Sequence, residues 1–93
     1  MKLLFIMNSK QRNTLKKIFD YPTRSDISWK EIESLFSALG AEFSEGKGSR
    51  IRIFLNGVRA VFHKPHPQKE VNKSSINSIC RFLIEGGINN DDL

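Results

Sequence analysis

The run Arg50-Ile51-Arg52-Ile53-Phe54-Leu55-Asn56-Gly57-Val58-Arg59-Ala60-Val61-Phe62-His63 constrains this chain more than any other stretch. Asn-Gly between two β-prone segments predicts a hairpin with a type I′ turn, which needs positive φ at both central positions. A two-residue loop then fixes the register. Leu55 stands opposite Val58, Ile53 opposite Ala60, and Ile51 opposite Phe62. These six residues share one face and all are apolar, so that face packs on a core. The other face presents Arg50 across from His63, Arg52 across from Val61, and Phe54 across from Arg59. A slip of one residue would turn the whole apolar set to water, so the register is strongly specified.

The flanking segments supply the cover for that apolar face. Ser28-Trp29-Lys30-Glu31 has the form of a capping box, with Ile27 and Ile32 at the positions of a hydrophobic staple. Ile32, Leu35, Phe36 and Leu39 repeat at helical spacing, and Gly40 supplies a left-handed stop. Residues 41–45 suit a short strand, and Gly46-Lys47-Gly48-Ser49 connects it to the hairpin. Pro65 and Pro67 end the last strand. A closing helix over about 74–85 carries Ile76, Ile79, Cys80 and Leu83 on one face; Asn72 or Ser74 caps it, and Gly86-Gly87 ends it with Ile88 folding back. At the start, Leu15, Ile18 and Phe19 predict a helix over 9–19, followed by a linker over 21–26 in which Pro22 discourages helix. The order helix, helix, three antiparallel strands, helix gives an α+β class. Without its first helix it is α-β-β-β-α, the order of a double-stranded-RNA-binding domain.

At 93 residues the expectation is one domain over 1–93, since a chain of this size supports one core. Hydrophobic content of 39% and charged content of 27% exclude wholesale disorder. The single cysteine, Cys80, excludes an internal disulfide. The apolar run from Leu3 to Met7 is too short for the core of a signal peptide, and Asn8-Ser9-Lys10-Gln11-Arg12 offers no small-residue cleavage site. No stretch approaches the roughly 20 apolar residues that span a bilayer. A soluble cytoplasmic protein without a membrane partner is expected, translated from Met1 or from Met7.

Charge adds a direction. The formal net charge is +5, and between Glu45 and Arg81 eight basic residues face only Glu45 and Glu70, a local net of +6. Such a concentration favours a polyanionic partner, because each phosphate contact releases condensed counterions. Arg50, Arg52 and Arg59 with Phe54 on the outer hairpin face suit a phosphate backbone and an unstacked base. Phe54 and Val61 can equally be covered by the first helix or by a protein partner.

Other chemistry is largely excluded. Gly46-Lys47-Gly48-Ser49 lacks P-loop spacing and opens onto a strand. His63 and His66 with a remote Cys80 make no zinc set, so neither a metal nor a small-molecule cofactor is expected. Cys80 lies on an apolar stripe, where packing outweighs nucleophilic chemistry. His63 and His66 leave the sheet among basic residues, and histidine is the usual general acid or base near neutrality. Spacing alone leaves open whether they bind phosphate or move protons.

Gly48-Ser49 before the second strand, His66-Pro67-Gln68-Lys69-Glu70-Val71 after the third, and a last helix ending Gly86-Gly87-Ile88 together resemble the HicA family of bacterial toxins. The resembling core spans 27–88, preceded by a leader, helix and linker over 1–26 and followed by an acidic tail over 89–93. The resemblance implies a double-stranded-RNA-binding-like fold and a ribosome-independent endoribonuclease that cleaves mRNA and acts in stress survival. It also implies a HicB-type antitoxin that covers the active surface. In the family a catalytic histidine usually follows Gly-Ser directly, and here that position is Arg50. Two readings follow. In one, His63 acts as acid/base from the neighbouring strand, Arg50 clamps the phosphate, and His66 is a second acid or phosphate ligand. Lys47, Gly48, Ser49, Arg52, Phe54, Arg59, Lys64 and Lys69 would then bind RNA. In the other, the chain is a non-catalytic module that binds RNA or the antitoxin. A purely structural domain that contacts protein through Phe54 and Val61 is a third class.

Overall fold

The computed structural model describes residues 6–88. The readings of residues 1–5 and of the acidic tail 89–93 lie outside the described residues. The elements are α1 (Ser9–Ile18), α2 (Trp29–Ala38), β1 (Glu42–Glu45), β2 (Arg50–Leu55), β3 (Val58–His63) and α3 (Lys73–Glu85). This is the expected α+β order, α-β-β-β-α with an additional N-terminal helix.

Each helix begins where a side chain satisfies its first amides. Ser28 and Glu31 form the anticipated capping box: Glu31 N–H donates to Ser28 Oγ at 3.2 Å and Ser28 N–H to Glu31 Oε2 at 2.8 Å. Ile27 and Ile32 beside it are fully buried. A second capping box, Asn8 with Gln11, opens α1 through two 2.8 Å bonds. Asn72 caps α3, accepting from Ser75 N–H at 2.8 Å. Gly40, at φ +84, ends α2 in a Schellman motif, with Ala41 N–H bonded to Phe36 O at 3.0 Å. The end of α3 repeats it, Ile88 N–H reaching Leu83 O at 2.9 Å and burying its side chain.

The three strands form one antiparallel sheet in the order β1-β2-β3. Between β2 and β3 the register runs from Leu55↔Val58 to Arg50↔His63, as counted from the turn. Asn56 and Gly57 adopt φ of 49 and 86, the values a type I′ turn requires. Asn56 Nδ2 also donates to Gly86 O at 2.8 Å and ties the turn to the end of α3.

Ile51, Ile53 and Leu55 point into the core, and Val58, Ala60 and Phe62 pack along its rim. A relay of rings links the layers: Phe43 to Phe36 at 6.4 Å, Phe36 to Phe82 at 5.8 Å, and Phe82 to Phe62 at 5.8 Å between centroids. These tilted and edge-to-face pairs join β1, α2, α3 and β3. Leu15 and Ile18 of α1 enter the same apolar cluster. Gln11 Nε2 donates to Ser34 Oγ at 3.1 Å and Lys17 pairs with Glu31 at 3.3 Å, which holds α1 on α2. The intervening segment is tied by Arg24, which bridges Asp20 at 3.0 Å and Asp26 at 2.7 Å. Because α1 packs on the helices, it does not cover Phe54 and Val61; they remain 37% and 59% exposed on the outer face of the sheet. No helix among the described residues is long and apolar enough to cross a membrane.

Candidate functional site

The outer face of the sheet follows from the alternation of β2 and β3. Arg50, Arg52, Phe54, Arg59, Val61 and His63 are all exposed, while the residues between them are buried or half-buried. The rung beside Arg50–His63 is hydrogen-bonded, Lys64 N–H donating to Ser49 O at 2.7 Å. Alternation in an antiparallel ladder makes Arg50–His63 a non-hydrogen-bonded pair, the closer spacing, with Cα atoms about 4.5 Å apart. The arginine at the position after Gly-Ser and the histidine of the next strand are therefore direct neighbours.

None of Arg50, Arg52 and Arg59 has a carboxylate within ion-pair distance among the described residues; the ion pairs lie at Lys17–Glu31, Arg24–Asp20, Arg24–Asp26 and Lys64–Glu45. Arg59 sits 5.8 Å from the centroid of the Phe54 ring, a cation–π contact that presents both to solvent. Arg52 Nη1 donates to Ser44 Oγ at 3.3 Å. A shallow depression of about 430 Å³ over Phe54 and Val61 is bordered by Arg52, Arg59, Ser44 and Glu42. A second of about 240 Å³ joins it to Lys47 and Arg50.

His63 faces a different concavity. Its Nδ1 lies 3.3 Å from Ser49 Oγ, across the mouth of the β1–β2 connection. That connection is a tight turn, with Gly46 N–H bonded to Arg50 O at 2.9 Å and Gly48 at φ +65. Ser49, His63, Lys64, Glu70 and the first turn of α3, through Asn72 and Ser75, enclose a groove of about 300 Å³. Lys64 Nζ stands 3.6 Å from Glu45.

His66 is not among the residues lining that groove. Its Nδ1 accepts the Gln68 N–H at 3.2 Å and its carbonyl accepts the Lys69 N–H at 2.8 Å, so the imidazole folds onto its own loop. The loop docks on α2: Lys30 N–H donates to Pro67 O at 3.0 Å and Trp29 N–H to Lys69 O at 3.1 Å. The segment after β3 thus completes the amino end of α2 with main-chain carbonyls, a role invisible to side-chain reading. Lys69 itself is exposed. Of the sequence-derived set, the structure gathers Ser49, Arg50, His63 and Lys64 at one end of the hairpin and Arg52, Phe54 and Arg59 along its face. His66 and Lys69 stand apart on the docked loop.

No cluster of three or more His, Cys, Asp or Glu suited to a metal ion occurs among the described residues. Cys80 is half-buried, and burial pushes its thiol above the usual range despite Arg81 nearby, which disfavours the nucleophilic thiolate.

A family model described as "HicA toxin of bacterial toxin-antitoxin" matches residues 29–83, from the first residue of α2 into α3, and leaves α1 outside. No curated protein and no solved structure matches the chain.

Proposed function

The chain belongs to the HicA family of toxins of bacterial toxin–antitoxin systems, and on that premise we propose that it is a metal-independent endoribonuclease that cleaves mRNA in the cytoplasm, with a HicB-type antitoxin as its neutralising partner. The single observation that supports this most is the juxtaposition of His63 with Ser49 at 3.3 Å and with Arg50 across the ladder. In this reading the imidazole of His63 stands in, from the neighbouring strand, for the histidine that follows Gly-Ser in the family.

RNA can be cut at its own 2′-hydroxyl when a base removes that proton, an acid protonates the leaving oxygen, and cations stabilise the charge that grows on phosphorus. His63 serves as the acid/base group. The hydroxyl of Ser49 holds its Nδ1, and the histidine lines the groove. Arg50 clamps the phosphate beside it, and Lys64 adds a second cation. Gln68 N–H on Nδ1 of His66 requires that nitrogen to be unprotonated, so His66 suits a phosphate ligand through Nε2–H better than an acid. Arg52, Arg59 and Lys47 track the backbone, with Gly48 allowing close approach. Phe54, under Arg59, offers a stacking platform for a base. Lys69 extends the basic rim.

A cleavage assay on single-stranded RNA in EDTA, with the full chain and its His63→Ala variant, tests this reading. Loss of cleavage in the variant alone supports it. RNA bound but left intact by the unmodified chain would instead favour the non-catalytic module, which the arginine after Gly-Ser specifically suggests. Induction of the gene with and without its neighbouring reading frame tests the antitoxin.

A further inference from the structure

Glu70, within the segment His66 to Val71, has no part in the reading above. Its main chain is held on both sides: Val71 N–H donates to Ile27 O at 2.8 Å and Lys69 O accepts from Trp29 N–H at 3.1 Å. Ser28 and Glu70 consequently face each other as an antiparallel bridge at the start of α2. The Cα of Glu70 is thus fixed to a capped helix, the kind of rigid support that a catalytic group needs. Its carboxylate is exposed and has no ion-pair partner among the described residues, unlike Asp20, Asp26, Glu31 and Glu45. Most directly, Glu70 lines the same groove of about 300 Å³ as His63, Ser49 and Lys64, and His66 does not.

We propose that Glu70 is the general base of the cleavage and His63 its general acid, so that the proton-transfer pair is His63 with Glu70 and not His63 with His66. This rests on the ribonuclease reading above. The Glu70 carboxylate takes the proton of the 2′-hydroxyl as O2′ bonds to phosphorus. The bond from phosphorus to O5′ breaks, and O5′ takes the proton from Nε2 of the His63 imidazolium. The products are a 2′,3′-cyclic phosphate and a 5′-hydroxyl end; proton exchange with water then restores Glu70 and His63. In this state Nδ1–H of His63 donates to Ser49 Oγ, which leaves Nε2–H as the proton to be given. The amide end of α3, whose first turn walls the groove, favours the phosphate charge between the two groups.

The test is single-turnover cleavage of a single-stranded RNA in EDTA by the full chain and its variants Glu70→Gln, Glu70→Asp, His63→Ala and Glu85→Gln, with affinity for the uncleavable 2′-deoxy oligonucleotide measured alongside. Removing a general base is expected to slow Glu70→Gln by about 10²–10⁴-fold. Its affinity for the deoxy oligonucleotide stays within about twofold, because the lost interaction is made only in the transition state. Glu70→Asp retains more rate than Glu70→Gln, and Glu85→Gln, an equal charge change at the far end of α3, keeps the full rate. Cleavage by Glu70→Gln within about threefold of the unmodified rate, with His63→Ala inactive, overturns the role of Glu70 and leaves the ribonuclease reading standing. A Glu70→Gln variant that loses affinity or melting temperature in step with rate also overturns it, as a merely structural effect. If the unmodified chain does not cleave, the ribonuclease reading falls and this proposal with it.

Discussion

Ser49 and His63 meet at 3.3 Å between Oγ and Nδ1 across the mouth of the sheet. A hydroxyl that only orients an imidazole contributes about one hydrogen bond, net 0.5–1.5 kcal/mol, or roughly 2–12-fold in rate. Ser49→Ala is therefore expected to slow RNA cleavage by that amount with little change in affinity, and Ser49→Thr to restore most of it. A loss as large as that of His63→Ala would mean that the hydroxyl itself takes part in proton transfer.

The sheet arginines lack carboxylate partners among the described residues, so their charge is available to phosphate. Binding of single-stranded RNA should weaken steeply with salt. Each of Arg50→Ala, Arg52→Ala and Arg59→Ala should reduce the slope of log K against log salt by about 0.7. Phe54→Ala should leave that slope unchanged while costing about 1–3 kcal/mol of binding through lost stacking. Filter binding at several salt concentrations separates the two effects.

The hairpin turn holds Gly57 at φ +86, where a Cβ meets no neighbour and only the backbone objects. Gly57→Ala is expected to cost about 1–2 kcal/mol from that conformation alone. In a domain of this size each kcal/mol lowers the melting temperature by about 4–8 °C. Asn56→Ala should destabilise similarly, since it also frees the Gly86 carbonyl at the end of α3. Thermal denaturation followed by circular dichroism reads both.

Acid should loosen the start of α2 and the segment before it. Burial alone would raise the Glu31 carboxyl, but the Ser28 amide and Lys17 outweigh it and hold it below the usual range. The Arg24 guanidinium lowers Asp26 to about 2. A carboxyl depressed in the folded state contributes stability above its unfolded pKa, which is lost as pH falls through the folded value. The midpoint of urea unfolding should thus hold steady at neutral pH and decline below about 4. Glu31→Gln, which keeps the cap but not the charge, should flatten that decline.

Much of this fold is written in local sequence. Asn56-Gly57 dictates its turn and, through the alternation of Arg50–Leu55 and Val58–His63, the two faces of the hairpin. Ser28 with Glu31, and Gly40 after Leu39, mark the ends of α2 because caps act over three or four residues. The Asn8–Gln11 box uses the same chemistry, and its spacing was equally readable. What the sequence hides depends on chain segments far apart. The seating of α1 on the helix layer turns on Gln11 meeting Ser34, and neither residue advertises the other. The docking of the His66–Val71 loop uses main-chain carbonyls, which carry no side-chain signature. For the same reason two histidines only a turn apart in sequence part company, and Glu70, three residues from the nearest proline, enters the groove in place of His66.

The role of His63 is tested most directly by the end chemistry and rate of RNA cleavage by the purified chain in EDTA, with and without His63→Ala. The unmodified chain is expected to give fragments ending in 2′,3′-cyclic phosphate, and the variant to lose about 10²–10⁴-fold in rate. Equal cleavage by both proteins, or fragments with other ends, would contradict that role.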